Sequence, residues 1–173
     1  MSLGTADSVL VTRYSQLIMW QGTILSIHTG SRRKAPMEQQ EEIRVIPGEG
    51  IAGDRYARSI RPPNLHHGGG HEVTLVESEA IEALERDYKI HLEPGQTRRN
   101  LTTRGVPLNH LVGRDFLVGD VRLHGVRLCE PCSHLERLLD KPVVPGLRHR
   151  GGLRAEVLTE GVIRVGDVVQ EIE

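Results

Sequence analysis

Aromatic residues are scarce in this chain: one Trp, three Tyr and one Phe, 3% of 173 residues. A core must therefore rest on Val, Leu and Ile. Cysteine is scarcer still, with only Cys129 and Cys132. Two cysteines cannot build a disulfide framework, so the thiols are expected to be reduced and the protein cytoplasmic. No apolar run reaches the length of a membrane span. Residues 1–15 lack the charged start, apolar middle and cleavage site of a signal peptide. A large net charge is also missing. The formal value is −1, which offers no electrostatic case for nucleic acid or a membrane surface as partner. Lysine is rare beside arginine, a balance that leans toward bidentate recognition of anions. The length suits one domain. Residues 1–19 read as a flexible N-terminal extension and residues 20–173 as a single domain.

The two cysteines lie in one stretch, Arg127-Leu128-Cys129-Glu130-Pro131-Cys132-Ser133-His134-Leu135-Glu136. Residues 121–128 are apolar-rich and read as a strand. Pro131 has no donor and biases Glu130 toward extended backbone, so the strand should end there. Ser133 with Glu136 three residues on reads as a capping box, and Leu135, Leu138 and Leu139 supply an apolar helix face. Cys132 then sits just before a helix N-terminus. The partial positive charge there favours a thiolate, the form that attacks, carries sulfur or binds a soft metal.

Elsewhere short strands dominate. Residues 20–29, 43–46 and 72–76 read as strands, and Ser78 caps a helix through Tyr88 with Ile81, Leu84 and Tyr88 on one face. Arg32, Arg33 and Lys34 read as a solvated loop. Gly50-Ile51-Ala52-Gly53-Asp54-Arg55 is a tight turn that lacks the Gly-Lys-Ser/Thr of a P-loop. Residues 58–70 form a long loop in which His66 and His67, with His71, make a weak zinc pattern. Residues 97–104 are expected to be extended. Arg98, Asn100, Thr102 and Arg104 would then share one face, where an anionic, hydrogen-bonding ligand would satisfy them. Gly119-Asp120 marks a hairpin turn, and at His124-Gly125 the apolar phase flips, which requires a turn or a bulge. Residues 142–146 stop the cysteine helix. A second basic cluster, with Arg148, Arg150 and Arg154, surrounds Gly151-Gly152, which would allow close backbone approach to a ligand. Residues 155–158, 162–165 and 168–172 close the chain as strands. No β-α-β alternation runs along it. The fold class is mainly β (α+β): a small, curved, barrel-like domain with two or more short helices.

Several motifs, in this order, resemble the MOSC domain, the C-terminal domain of molybdenum cofactor sulfurases. They are Gly53-Asp54-Arg55, Val73-Thr74-Leu75-Val76 with Glu79-Ala80, and Arg98-Arg99-Asn100-Leu101-Thr102-Thr103 with Gly105-Val106. Leu111-Val112-Gly113, Phe116 with Val118-Gly119, Leu128-Cys129 with Pro131-Cys132, and Arg150-Gly151-Gly152-Leu153-Arg154-Ala155 follow, then Gly161, Ile163 and Gly166-Asp167. The resemblance implies a β-rich barrel with a pocket for molybdenum cofactor, a phosphate-bearing pterin whose dithiolene holds the metal. It puts the family's characteristic cysteine at Cys132, which carries sulfur or bonds molybdenum, and phosphate and pterin contacts at Arg98 and Asn100. Arg104, Arg148, Arg150 and Arg154 are added as cofactor-binding candidates on charge alone. This sequence shows no pyridoxal-phosphate desulfurase segment and no pyridoxal-phosphate site. The expected partners are therefore a cysteine desulfurase or another pyridoxal-phosphate sulfur donor, and a molybdoenzyme acceptor or electron-transfer protein.

Three other readings stay open on the residues. Strand–Cys-x-Pro-Cys–helix is close to a thioredoxin-type thiol–disulfide pair. A structural zinc site could use Cys129 and Cys132 with His134, His149 or the loop of His66, His67 and His71. The two cysteines could also be inert and buried.

Overall fold

Val, Ile and Leu alternate with polar residues along most strands, and closing the sheet on itself buries that apolar face. The computed structural model describes residues 20–32, 34–57 and 72–172. In chain order the strands are β1 (Gln21–Thr29), β2 (Glu38–Gln40), β3 (Glu42–Ile46), β4 (Gly50–Ile51), β5 (Val73–Glu77), β6 (Leu101–Arg104), β7 (Asp115–Val118), β8 (Val121–Leu128), β9 (Leu153–Val157), β10 (Gly161–Arg164) and β11 (Val168–Glu171). The main sheet runs β11-β7-β8-β9-β5-β6-β1-β2, and β11 also pairs with β1, which closes seven strands into a barrel with β2 outside it. A second sheet, β10-β3-β4, is not hydrogen-bonded to it but packs into the same core through Ile43, Val45, Ile51 and Ile163. The expected mainly β, barrel-like class is what the chain adopts. The N-terminal extension, Arg33 and the histidine loop lie outside the described residues.

Ile24, Ile27, Leu75, Leu101, Phe116, Leu123, Leu153 and Val169 fill the barrel. With so few aromatics, aliphatic side chains carry this core; among the described residues Phe116 is its one buried ring, and the partly buried Trp20 packs against it. A second cluster lies outside the barrel wall. It joins Val76 to Ile81 and Leu84 of helix α1 (Ser78–Tyr88), Leu135 of helix α2 (Ser133–Leu139), and Leu147 of helix α3 (Val144–Leu147). Strand β5 is thus buried on both faces, which explains its unbroken Val-Thr-Leu-Val run.

Some expectations need correction. β5 and β6 are parallel neighbours joined through α1, so one β-α-β unit exists where none was expected. A parallel pair needs such a crossover. Tyr88 is 46% exposed and only Ile81 and Leu84 of its predicted stripe are buried. Helix α2 has Cys132 as its N-cap residue, not Ser133, and Glu136 instead accepts a hydrogen bond from the Val144 N–H. The hairpin at Gly119-Asp120 is present between β7 and β8, and the phase flip is a bulge between Gly125 and Arg127 against β9.

Candidate site at the cysteine cavity

Residues 97–104 are not one extended segment. Pro94–Thr97 forms a 3-10 turn, closed by a reciprocal capping pair of Glu93 and Gln96. Arg98 then takes a left-handed conformation, φ 61°, and β6 starts only at Leu101. The predicted shared face of Arg98, Asn100, Thr102 and Arg104 therefore does not exist. A residue with positive φ interrupts the side-chain alternation on which that face depended.

Each member of the motif has a different position. Arg98 points its Nη1 at the Ala35 carbonyl, 2.8 Å away. Burial, and then the neighbouring Arg55 guanidinium, push its pKa below the ordinary arginine value. Asn100 is 2% exposed and tied into the scaffold. Its Oδ1 accepts from the Thr74 N–H at 3.1 Å and the Thr74 hydroxyl at 2.8 Å, and its Nδ2 donates to the His28 carbonyl at 3.1 Å. Asp54 completes this knot, accepting from the N–H groups of Gly30 at 2.9 Å and Tyr56 at 3.0 Å.

Between Arg98 and Asn100 lies Arg99, whose guanidinium donates to three backbone carbonyls: Gly151 at 2.9 Å, Cys129 at 2.8 Å and Thr97 at 3.2 Å. It staples the Arg-Asn turn, the cysteine loop and the Gly-Gly segment together. The Cys129 N–H adds a bond to the Gly152 carbonyl at 2.7 Å. Gly151-Gly152 does serve close backbone approach, but to protein. A Cβ on Gly151 would lie 2.7 Å from the Cys129 carbonyl oxygen, and one on Gly152 would lie 2.0 Å from that of Leu75.

These contacts bring the two cysteines to opposite situations. Cys129 is 2% exposed, whereas Cys132 is exposed; both are free. Cys132 lines a cavity of about 110 Å³ together with Arg55, Arg98, Arg99, Arg154, Thr74, Tyr56, Glu130 and His134, and the buried Cys129 borders the same cavity. Four guanidiniums and the Glu130 carboxylate line the cavity, and the buried Asp54 carboxylate lies 4.0 Å from Arg55, so the lining keeps an excess of positive charge. Arg55 sits in its wall with a side chain only 6% exposed, stacked 4.6 Å from the Tyr56 ring centre. Its Nε is buried without a hydrogen-bond partner among the described residues.

Of the predicted site residues, Cys132, Arg98 and Arg154 share this cavity. Asn100 stands behind it, as a brace. Arg104 pairs with Glu82 on α1, at the far end of β6 from Arg98. Arg148 is exposed and does not line the cavity. Arg150 donates to the Gly146 carbonyl at 2.9 Å and lies 3.8 Å from Asp87. Sequence reasoning missed Arg55 and Arg99 as site residues, although both stood in quoted motifs. The useful signal was their adjacency to Asp54 and Asn100. Among the described residues no group of three His, Cys, Asp or Glu side chains is placed to hold a metal ion, and His66, His67 and His71 lie outside the described residues. No helix of the described residues is long and apolar enough to cross a membrane.

Residues 62–170 match the MOSC domain family. The chain belongs to that family. No curated protein matches it. Solved structures share the fold at low identity. The YUAD protein from Bacillus subtilis is 17% identical, with a TM-score of 0.72 over 90% of this chain and 100% of that one. YiiM from Geobacillus stearothermophilus is 19% identical, with a TM-score of 0.67 over 88% and 75% of the two chains. YiiM from Escherichia coli is 16% identical, with a TM-score of 0.62 over 90% and 70%. These likenesses establish the architecture of this MOSC domain.

Proposed function

We propose that this MOSC domain protein binds molybdenum cofactor at the cysteine cavity, with Cys132 as the thiolate that carries sulfur or bonds the metal. One observation carries the reading: the exposed thiol shares a small cavity with Arg55, Arg98, Arg99 and Arg154. The residues suit the metal and anionic groups of such a ligand; a cavity of about 110 Å³ admits those groups, and the rest of the cofactor lies outside it. A thiolate is a soft donor suited to molybdenum or persulfide chemistry, and guanidinium forks suit a phosphate. The buried Arg55 Nε, without a hydrogen-bond partner among the described residues, is a donor that an anion would satisfy. When bound, the cofactor supplies a redox-active metal centre. Arg98 and Arg154 hold its anionic part, and Arg99 keeps the cysteine loop in place.

In the carrier role the Cys132 thiolate attacks the outer sulfur of a donor persulfide. That donor S–S bond breaks, the donor leaves as a thiolate, and a new S–S bond forms on Cys132. One sulfur moves with no net oxidation. A pyridoxal-phosphate cysteine desulfurase is the donor this step requires, and a molybdoenzyme is the fitting acceptor. The chemistry needs a reducing compartment, which accords with a cytoplasmic protein.

The test is persulfide loading from a cysteine desulfurase, read by mass spectrometry. Cys132→Ala abolishes loading and Cys129→Ala retains it. Equal loss in both variants would replace this reading with a thiol–disulfide pair. Elemental analysis of protein from a cofactor-competent host tests the other half: molybdenum and pterin are expected together, and zinc alone would overturn it.

A further inference from the structure

Cys132 is a free, exposed thiol, and Cys129 is free and buried. Both border the cavity of about 110 Å³, but the chain holds them apart. Cys129 is pinned on both sides: its N–H donates to the Gly152 carbonyl at 2.7 Å, and its own carbonyl accepts from the Arg99 Nη2 at 2.8 Å. Residues 129–132 form no turn, and Cys132 is extended, with φ −138° and ψ 162°. Pro131 favours extended backbone at Glu130 as well. Three extended steps span about 10 Å between Cα atoms, whereas a disulfide needs them within about 7 Å. The pair is therefore not set to close on itself. An oxidised Cys132 takes its second sulfur from outside the chain.

The lining says what that outside sulfur carries. The Arg55 side chain is only 6% exposed, and its Nε is buried without a hydrogen-bond partner among the described residues. An unmet buried donor is costly, and a carboxylate is the acceptor that a guanidinium suits best. Glu130 does not serve it. That carboxylate is turned to His149, accepting from its N–H at 2.9 Å and lying 3.1 Å from its Nδ1. We propose that Cys132 is a site of reversible mixed-disulfide formation with a small, carboxylate-bearing thiol, whose carboxylate meets Arg55 and Arg154 in the cavity. The oxidant is the disulfide of that thiol. The Cys132 thiolate attacks one of its sulfurs, the S–S bond breaks, one half leaves as a thiolate, and the other half stays joined to Cys132. The Cys132 sulfur is oxidised and the departing sulfur is reduced. Excess thiol runs the exchange backwards. A volume of about 110 Å³ admits a short carboxylate arm and no bulkier group. Adduct formation needs no cofactor. Its consequence rests on the carrier reading, because a capped Cys132 accepts no further sulfur until a thiol releases it.

Two disulfides of similar size test this on the purified, reduced chain. Dithiodiglycolate has a carboxylate at each end, and bis(2-hydroxyethyl) disulfide is neutral. Adduct growth is read by intact mass spectrometry, and each rate is divided by that of the same disulfide with free 2-mercaptoethanol. The corrected rates should favour dithiodiglycolate by about tenfold or more, as expected of a cleft lined by one sign of charge. The adduct should map to Cys132 and come off with excess thiol. Arg154→Gln should cut the preference by about threefold. Arg55→Lys keeps the charge but lacks the Nε donor, and should cut it too. Equal corrected rates in the wild type, which needs no variant to fold, would overturn the inference. So would a preference untouched in both variants, an adduct on Cys129, or a Cys129–Cys132 disulfide in place of a retained adduct. A selective adduct on Cys132 with no persulfide loading from a desulfurase keeps this site and removes the carrier role. Persulfide loading with equal corrected rates does the reverse.

Discussion

Two basic segments of this protein, residues 98–104 and 148–154, look alike in sequence and differ in what they do. The first delivers Arg98 and Arg99 to the cavity and spends Arg104 on an exposed ion pair with Glu82. The second delivers only Arg154, the residue that β9 carries next to Leu153. Arg148 faces solvent and Arg150 turns to α1 and α3. The difference lies in the backbone. A left-handed residue at Arg98 aims two consecutive guanidiniums inward, while strand alternation in β9 allows one. A count of cations therefore overstates a binding site. The useful question is which carbonyls each guanidinium already holds.

The comparison can be broken at its most buried point first. Asn100→Ala leaves the Thr74 N–H and the His28 carbonyl without partners, and should cost about 3 kcal/mol of stability. Urea unfolding measures it, and a loss below about 1 kcal/mol would mean that Asn100 is no brace. Arg99→Ala removes donors to three carbonyls and should cost about 2 kcal/mol while slowing persulfide loading of Cys132. Arg99→Lys should not restore the rate, because an ammonium cannot span three carbonyls as a planar fork does. If it does, the staple is only a charge.

Ligand binding then sharpens the contrast between the segments. Arg98→Ala and Arg154→Ala should each weaken molybdopterin binding about tenfold, or about 1.4 kcal/mol, with little change in unfolding midpoint. An unchanged affinity in both would dismiss the arginine cavity as the anion site. The smallest effects belong to the cations outside it. Arg104→Ala and Arg148→Ala should change stability by no more than about 0.5 kcal/mol, since exposed ion pairs are worth little in water. Their affinity for molybdopterin should match wild type, and a drop like that of Arg98→Ala would erase the distinction.

Much of the frame was legible in the residues. Alternation marked the strands, Gly119-Asp120 the hairpin, and the phase change at Gly125 the bulge. Local chemistry sufficed there, because a turn or a pleat depends on a few neighbouring side chains. The same holds for Cys132, where Pro131 and the helix that follows place the thiol at a strand–helix junction. The left-handed turn at Arg98 was misread. Nothing in Thr-Arg-Arg-Asn marks a positive φ in a residue that has a Cβ.

What the sequence determined alone was the aliphatic barrel, its turns, and a single exposed-thiol candidate in a segment with two cysteines. Only tertiary structure decided which arginines meet that thiol and which are consumed as scaffold. The physical reason is distance along the chain. Arg99 finds its carbonyl partners 30 and 52 residues away, and Asn100 reaches back 72 residues to His28. Local propensity carries no information about such partners, because they become neighbours only when the barrel closes.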